Sequence, residues 1–201
     1  AVAPTIPKVR TLTSPENAVV NVDHNDSATV LYVQGDNESY AEQAKYGLLS
    51  QLLRSPYFTA LRTEQQLGYV VAATNGRMHK TPGLVFVVQS PVASSSQVRL
   101  ATIEFVDGYA NVIANMPAEE FNAAKGGYLN ALREKDKNQH GRAQRYWGDL
   151  LLDIETFDGR ELVAAEVENL DQKTMQEAVR TLQINLKDTY YQVSSPGKFA
   201  E

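Results

Sequence analysis

Along the first half of the chain, apolar residues switch between the two-residue beat of strands and the three-to-four-residue beat of helices. Val19-Val20-Asn21-Val22 predicts a short strand, and Ala28-Thr29-Val30-Leu31-Tyr32-Val33-Gln34 a stronger one after the turn signal Asn25-Asp26-Ser27. Ser39, with Glu42 three residues on, makes a capping box, and Ala44, Leu48, Leu49, Leu52 and Leu53 then mark one helical face. Ser55-Pro56 predicts an interruption, because proline removes a backbone donor, and a short second helix carries Tyr57, Phe58, Leu61 and Arg62 towards Gly68. A hairpin follows: a β-rich run from Tyr69 to Thr74, a turn at Asn75-Gly76, a loop closed by Pro82-Gly83, and Leu84-Val85-Phe86-Val87-Val88-Gln89. That last run is the most continuously apolar strand, and it predicts a central one.

The second half carries mainly the helical beat. Ser94-Ser95-Ser96 supplies N-caps for a helix with Leu100, Ile103, Val106, Ala110 and Ile113 on one side. Pro117, with Glu119 and Glu120, starts the next, in which Gly126-Gly127 allows close packing. A polar loop, 135–141, leads to a helix marked by Ala143, Tyr146, Trp147, Leu150, Leu151 and Ile154, with Trp147 expected in the core. Asp171 caps the last long helix, Met175, Ala178, Val179 and Leu182 turning inward, and Thr189-Tyr190-Tyr191-Gln192-Val193 predicts a closing strand. This order predicts an α+β fold, a mainly antiparallel sheet with helices packed largely on one face. Residues 1–17, with Pro4, Pro7 and Pro15, are expected to be an extended lead-in, 18–195 a single domain, and 196–201 a loose tail.

Composition narrows the function classes. A net charge of −5, a pI near 5.3 and scattered basic residues argue against nucleic acid as a partner. Cysteine is absent, which excludes disulfides and thiolate metal ligands. No apolar run approaches the length of a bilayer span, so no membrane partner is expected. His24, His79 and His140 have no second His or Glu at helical spacing, so neither H-E-x-x-H nor H-x-x-E-H occurs and no metal site is expected in this chain. No G-x-S-x-G and no glycine-rich phosphate loop is present. Glu119/Glu120 and Asp149/Asp153 fit solvated helix charges.

What remains is Leu61-Arg62-Thr63-Glu64-Gln65-Gln66-Leu67-Gly68-Tyr69-Val70-Val71, which runs from a helix end through a turn at Gly68 into a strand. Arg62 and Tyr69 lie seven residues apart across that junction. A phenol donates to a developing oxyanion, and a guanidinium holds a carbonyl or carboxylate in a planar fork. Residue chemistry leaves a second reading open, a surface Arg ion pair and a strand tyrosine.

The segment 61–69 resembles a motif in the C-terminal half of the pitrilysin/insulysin (insulin-degrading enzyme) zinc peptidases. Gly83-Leu84-Val85-Phe86-Val87-Val88-Gln89-Ser90 resembles the family's next strand, and Tyr146-Trp147-Gly148-Asp149 with Phe157-Asp158 its later helix signature. The blocks stand in family order, and the similarity covers about residues 28–185. The resemblance implies a C-terminal, non-zinc domain of a chambered endopeptidase, with Tyr69 near the scissile carbonyl and Arg62 binding substrate. It further implies that no cofactor binds this chain, that zinc belongs to the N-terminal half, and that the partners are peptide substrates and that half. A chain starting at Ala1 rather than Met then reads as an excised C-terminal fragment, inactive by itself, from a periplasmic or alternatively a cytoplasmic protein. The competing reading is a non-proteolytic scaffold of the same fold that binds extended peptides at a sheet edge.

Overall fold

The computed structural model describes residues 9–199. In chain order these fold as β1 (Glu16–Val19), β2 (Ser27–Gln34), α1 (Tyr40–Phe58), a π-helical turn (Thr59–Glu64), β3 (Val70–Met78) and β4 (Thr81–Ser90). Then follow α2 (Ser95–Asn115), α3 (Ala118–Arg133), α4 (Gln139–Leu150), α5 (Gly159–Asn169), α6 (Gln172–Asp188), β5 (Tyr190–Ser195) and a 3-10 turn (Gly197–Phe199). The strands form one sheet in the order β1-β5-β2-β4-β3. Its pairings are antiparallel except for β1, which runs parallel to β5. The fold is α+β, as the alternating periods predict.

Successive strand residues point to opposite faces, and here the two faces have different fates. Leu31, Val33, Val71, Ala73, Leu84, Phe86 and Val88 meet α1, α2 and α6 in a single core, with α3 and α5 layered onto α1. Val193, Val30, Val87 and Ala72 form a cross-strand row on the other face. Residues 9–12 cross one end of that face, where the Leu12 N–H donates to Gln34 Oε1 at 3.0 Å and Gln34 Nε2 donates to the Arg10 carbonyl at 3.2 Å.

Several expected boundaries move, each for a physical reason. Helix α1 continues through Pro56. The Leu52 carbonyl that proline leaves without its helical donor accepts instead from the buried Tyr109 hydroxyl of α2, at 2.6 Å. The Asn75-Gly76 turn does not form, because Gly76 pairs with Gly83 inside the hairpin and the chain reverses at His79-Lys80, with His79 at φ 52°. Both glycines answer to packing: a Cβ on Gly83 would lie 2.4 Å from the Tyr32 ring, and one on Gly76 2.5 Å from Val85. A Cβ on Gly126 or Gly127 would meet nothing within 4 Å, so that pair mediates no close contact; Gly47 does, against Tyr128. The capping box at α1 is half made, since Ser39 accepts from the Glu42 N–H while the Glu42 carboxylate takes the Asp36 N–H instead.

Strand β4 is interior, but β2 is the middle strand. The first strand begins at Glu16, inside the expected lead-in, whose residues 1–8 lie outside the described ones. Of the expected loose tail, 197–199 form a turn anchored by Lys198 N–H to the Asn25 carbonyl at 2.8 Å, and 200–201 lie outside the described residues. Leu100 is exposed on α2, and Trp147 is 64% exposed on α4, a helix with no buried residue. The expected core position of Trp147 is therefore overturned: α4 has an apolar face, but nothing in the described residues covers it.

Candidate functional site

The stretch from Leu61 to Tyr69 is shaped by one buried anchor, one half-buried anchor and one close approach. Leu61 is fully buried, and the π-helical turn around it widens the helix end, leaving Arg62, Thr63 and Glu64 outside. Such one-turn π segments recur at functional sites. The chain then reverses at Gln66, at a left-handed φ of 52°, and not at Gly68, where the sequence predicts the turn. Leu67 folds back towards the core, its N–H on the Leu61 carbonyl at 2.9 Å. Gly68 serves contact rather than turning: a Cβ there would stand 2.3 Å from the Gln89 carbonyl oxygen. The backbone is thus pressed onto the end of β4, and Tyr69 emerges beside Gln89.

A polar staple fixes that corner from below. Buried Ser27 donates to the Ala93 carbonyl at 2.6 Å, and buried Ser90 donates to the Leu67 carbonyl while its oxygen accepts from the Ala93 N–H at 2.8 Å. The starts of β2 and β3 and the end of β4 are held together by hydroxyls that keep no unpaired group.

Tyr69 is 47% exposed. Its hydroxyl donates to Asp26 Oδ2 at 2.6 Å and accepts from Gln89 Nε2, which also donates to Asp26 at 3.2 Å. The bond to Asp26, then partial desolvation and the carboxylate's charge, push the phenol above the usual tyrosine range, so it stands protonated as a donor. Arg62 is exposed in a shallow hollow with Phe58, Thr63 and Gln66, and among the described residues it makes no hydrogen bond or ion pair. The structure therefore holds the phenol in a network and leaves the guanidinium free, with no contact between the two. Asp26 and Gln89 escaped sequence reasoning. Their only signals were a turn residue ahead of a strand and a polar end to an apolar run.

The other candidates separate. His24 precedes β2, His79 sits in the β3–β4 turn and His140 in α4. Among the described residues no group of three or more His, Asp or Glu could hold a metal ion, so the residues present do not fit a zinc site. Asp149 is not a freely solvated charge, since burial, its largest influence, raises it above the usual carboxylate range. Asp136 lies beside a cavity of about 660 Å³ and pairs with Arg145 at 2.8 Å, Arg160 at 3.4 Å and Arg142 at 3.7 Å. Arg160 also donates to the carbonyls of Ala131, Leu132 and Glu134. It thereby satisfies the C-terminal carbonyls of α3, a structural role for the cluster.

Residues 48–147 match the family model described as PQQ synthase PqqF-like, C-terminal lobe domain 4. The A-factor-processing enzyme of Saccharomyces cerevisiae is 29% identical over 160 residues, 80% of this chain and 16% of the enzyme. The insulin-degrading enzyme of Drosophila melanogaster is 28% identical over 145 residues, 72% of this chain and 14% of that protein. Pitrilysin superposes with a TM-score of 0.81 over 96% of the chain and 20% of its own, at 19% identity, which speaks to the fold. The fold and these matches define an α+β domain of peptidase type. More narrowly, these matches support a peptidase domain of the pitrilysin/insulysin type. It spans less than one fifth of the length of the curated relatives it matches.

Proposed function

We propose that the chain is the C-terminal, non-catalytic domain of a zinc metalloendopeptidase, completing the substrate chamber and lending Tyr69 and Arg62 to substrate and transition-state binding. The observation that carries this is the exposed, protonated Tyr69 phenol beside the sheet face that, among the described residues, has no helical layer, with Arg62, unpaired among those residues, nearby in sequence. Tyr69 would donate to the carbonyl oxygen of the scissile bond as negative charge develops there, and Arg62 would hold a neighbouring carbonyl or carboxylate. Zinc would belong to the N-terminal half of the parent protein, and peptides together with that half are the partners. The periplasm is the proposed compartment, with the cytoplasm as the alternative, which fractionation of the source cells decides.

Peptide hydrolysis by the isolated chain in added zinc, before and after mixing with the N-terminal half, tests the assignment. The chain alone is expected to be inactive and the mixture active; robust activity of the chain alone, abolished by a chelator, overturns it. Tyr69→Phe in the full-length enzyme should lower turnover roughly ten- to a thousand-fold, the range for losing one oxyanion donor. Unchanged turnover would make Tyr69 structural.

A second reading, a non-proteolytic peptide-binding subunit, is favoured by one feature. Among the described residues β3 is an edge strand, paired only with β4, and its free side accepts an extended peptide by strand addition. An H-x-x-E-H motif upstream in the parent reading frame selects the first reading, and its absence the second.

A further inference from the structure

The phenol proton that the proposed function requires is already spoken for. A tyrosine hydroxyl has one proton to give, and Tyr69 gives it to Asp26 at 2.6 Å. A hydrogen bond to a carboxylate is roughly twice as strong as a neutral one. An oxyanion forming at Tyr69 would therefore compete with Asp26 for that proton and would also meet its negative charge.

The acceptor is held more firmly than the donor. The Asp26 side chain is only 13% exposed. Its N–H donates to His24 Nδ1 at 3.0 Å, and its backbone is overlaid by the C-terminal turn. Gly197, at φ 57°, lies so close that a Cβ would be 2.3 Å from the Asp26 carbonyl oxygen. Tyr69, by contrast, is half exposed and packs in no aromatic pair among the described residues. Among the described residues no Lys or Arg lies within ion-pair distance of Asp26, and the one imidazole in range, His24 Nδ1 at 3.9 Å from the carboxylate, is occupied as the acceptor of the Asp26 N–H. The carboxylate is thus served by two donors, Tyr69 and Gln89. When the phenol leaves, the Gln89 amide remains on Asp26, so departure leaves no orphaned charge.

We propose that Asp26, with Gln89 as its second donor, is a latch on Tyr69: it parks the phenol at the rim of the open sheet face and releases it when a peptide carbonyl oxygen, as negative charge develops on it, replaces Asp26 as the acceptor of the phenol's hydrogen bond. Asp26 is on this account a positioning residue, acting through Tyr69 and not on the peptide. The inference rests on the reading of Tyr69 given above. It adds that the resting domain carries a self-contact which substrate displaces, and that the two partners of Tyr69 act with opposite sign.

Two measurements test it. The first needs no activity: the chain is labelled with 13C at the tyrosine Cζ, the Tyr69 resonance is assigned by its loss in Tyr69→Phe, and its ionisation is followed by NMR. Asp26→Asn, isosteric and uncharged, should shift the Tyr69 titration downwards, and Gln89→Leu should shift it upwards by removing the amide that shares the carboxylate. A titration unmoved by Asp26→Asn overturns the latch. The second is steady-state kinetics of the full-length enzyme. Asp26→Asn should raise kcat/KM roughly three- to ten-fold, the scale of one hydrogen bond, Gln89→Leu should lower it, and neither should act in a Tyr69→Phe background. A fall with Asp26→Asn, or an equal effect in that background, overturns the latch. If Tyr69→Phe itself leaves turnover unchanged, the functional reading of Tyr69 fails while the titration still reports on the Asp26 contact.

Discussion

Tyr109 reaches from α2 across the core to the one α1 carbonyl that Pro56 leaves without a helical donor, Leu52. Burial pushes its phenol up to about 12, so it remains a donor at all physiological pH. Tyr109→Phe should strand that carbonyl and cost about 1–3 kcal/mol in urea unfolding. Restoring the N–H with Pro56→Ala should shrink this cost, and an equal cost in both backgrounds would refute the pairing. The same residue-scale logic applies at Gly68, whose missing Cβ lets the junction press on Gln89 and so presents Tyr69. Neither contact was legible in the sequence. Pro56 announces a missing donor but not that a tyrosine 53 positions away supplies it, and Gly68 announces freedom without saying whether the fold uses it for a turn or a contact.

At the scale of elements, caps and periods were readable because their physics is local. Ser94 and Gln97 complete a reciprocal capping box on α2, and Asp171 caps α6 by accepting from the Thr174 N–H at 2.7 Å and hydroxyl at 2.6 Å. Those bonds, the hydroxyl first, hold the Asp171 carboxyl below its usual 3.8. A folded value below the unfolded one means that the cap's contribution is complete above the unfolded value and is lost as pH falls through the folded one. Asp136 is lowered in the same sense, chiefly by Arg145. Thermal melts across acid pH should therefore show a shallower acid loss in Asp171→Asn than in the parent chain; an identical acid limb would mean that the cap does not titrate. Helix α4 marks where local reading stops. Its apolar period is genuine, yet Trp147, Leu150 and Leu151 stay exposed, because periodicity shows that a face exists and not what lies against it.

Among the described residues the sheet has one face in the core and one without helical cover. The exposed side chains of α4 contribute little to this chain's own stability, so Trp147→Gln with Leu151→Gln should change unfolding free energy by no more than about 1 kcal/mol, the sum of two surface substitutions. Binding of an apolar dye should fall in the same variant. A large loss of stability would show that α4 packs in solution as it does not here.

The α+β class, the caps at Ser94 and Asp171, the inward Ile103, Val106 and Ile113 of α2 and the inward face of α6 were determined by the sequence alone. Each rests on hydrogen bonds or repeats spanning a few residues, for which spacing along the chain is spacing in space. Tertiary structure alone decided that Pro56 leaves α1 unbroken, that the hairpin turns at His79, that Trp147 faces outward and that Asp26 and Gln89 gather around Tyr69. In those cases the deciding partner arrives from a distant segment, or is missing altogether, and a pattern read along one strand or helix carries no record of it.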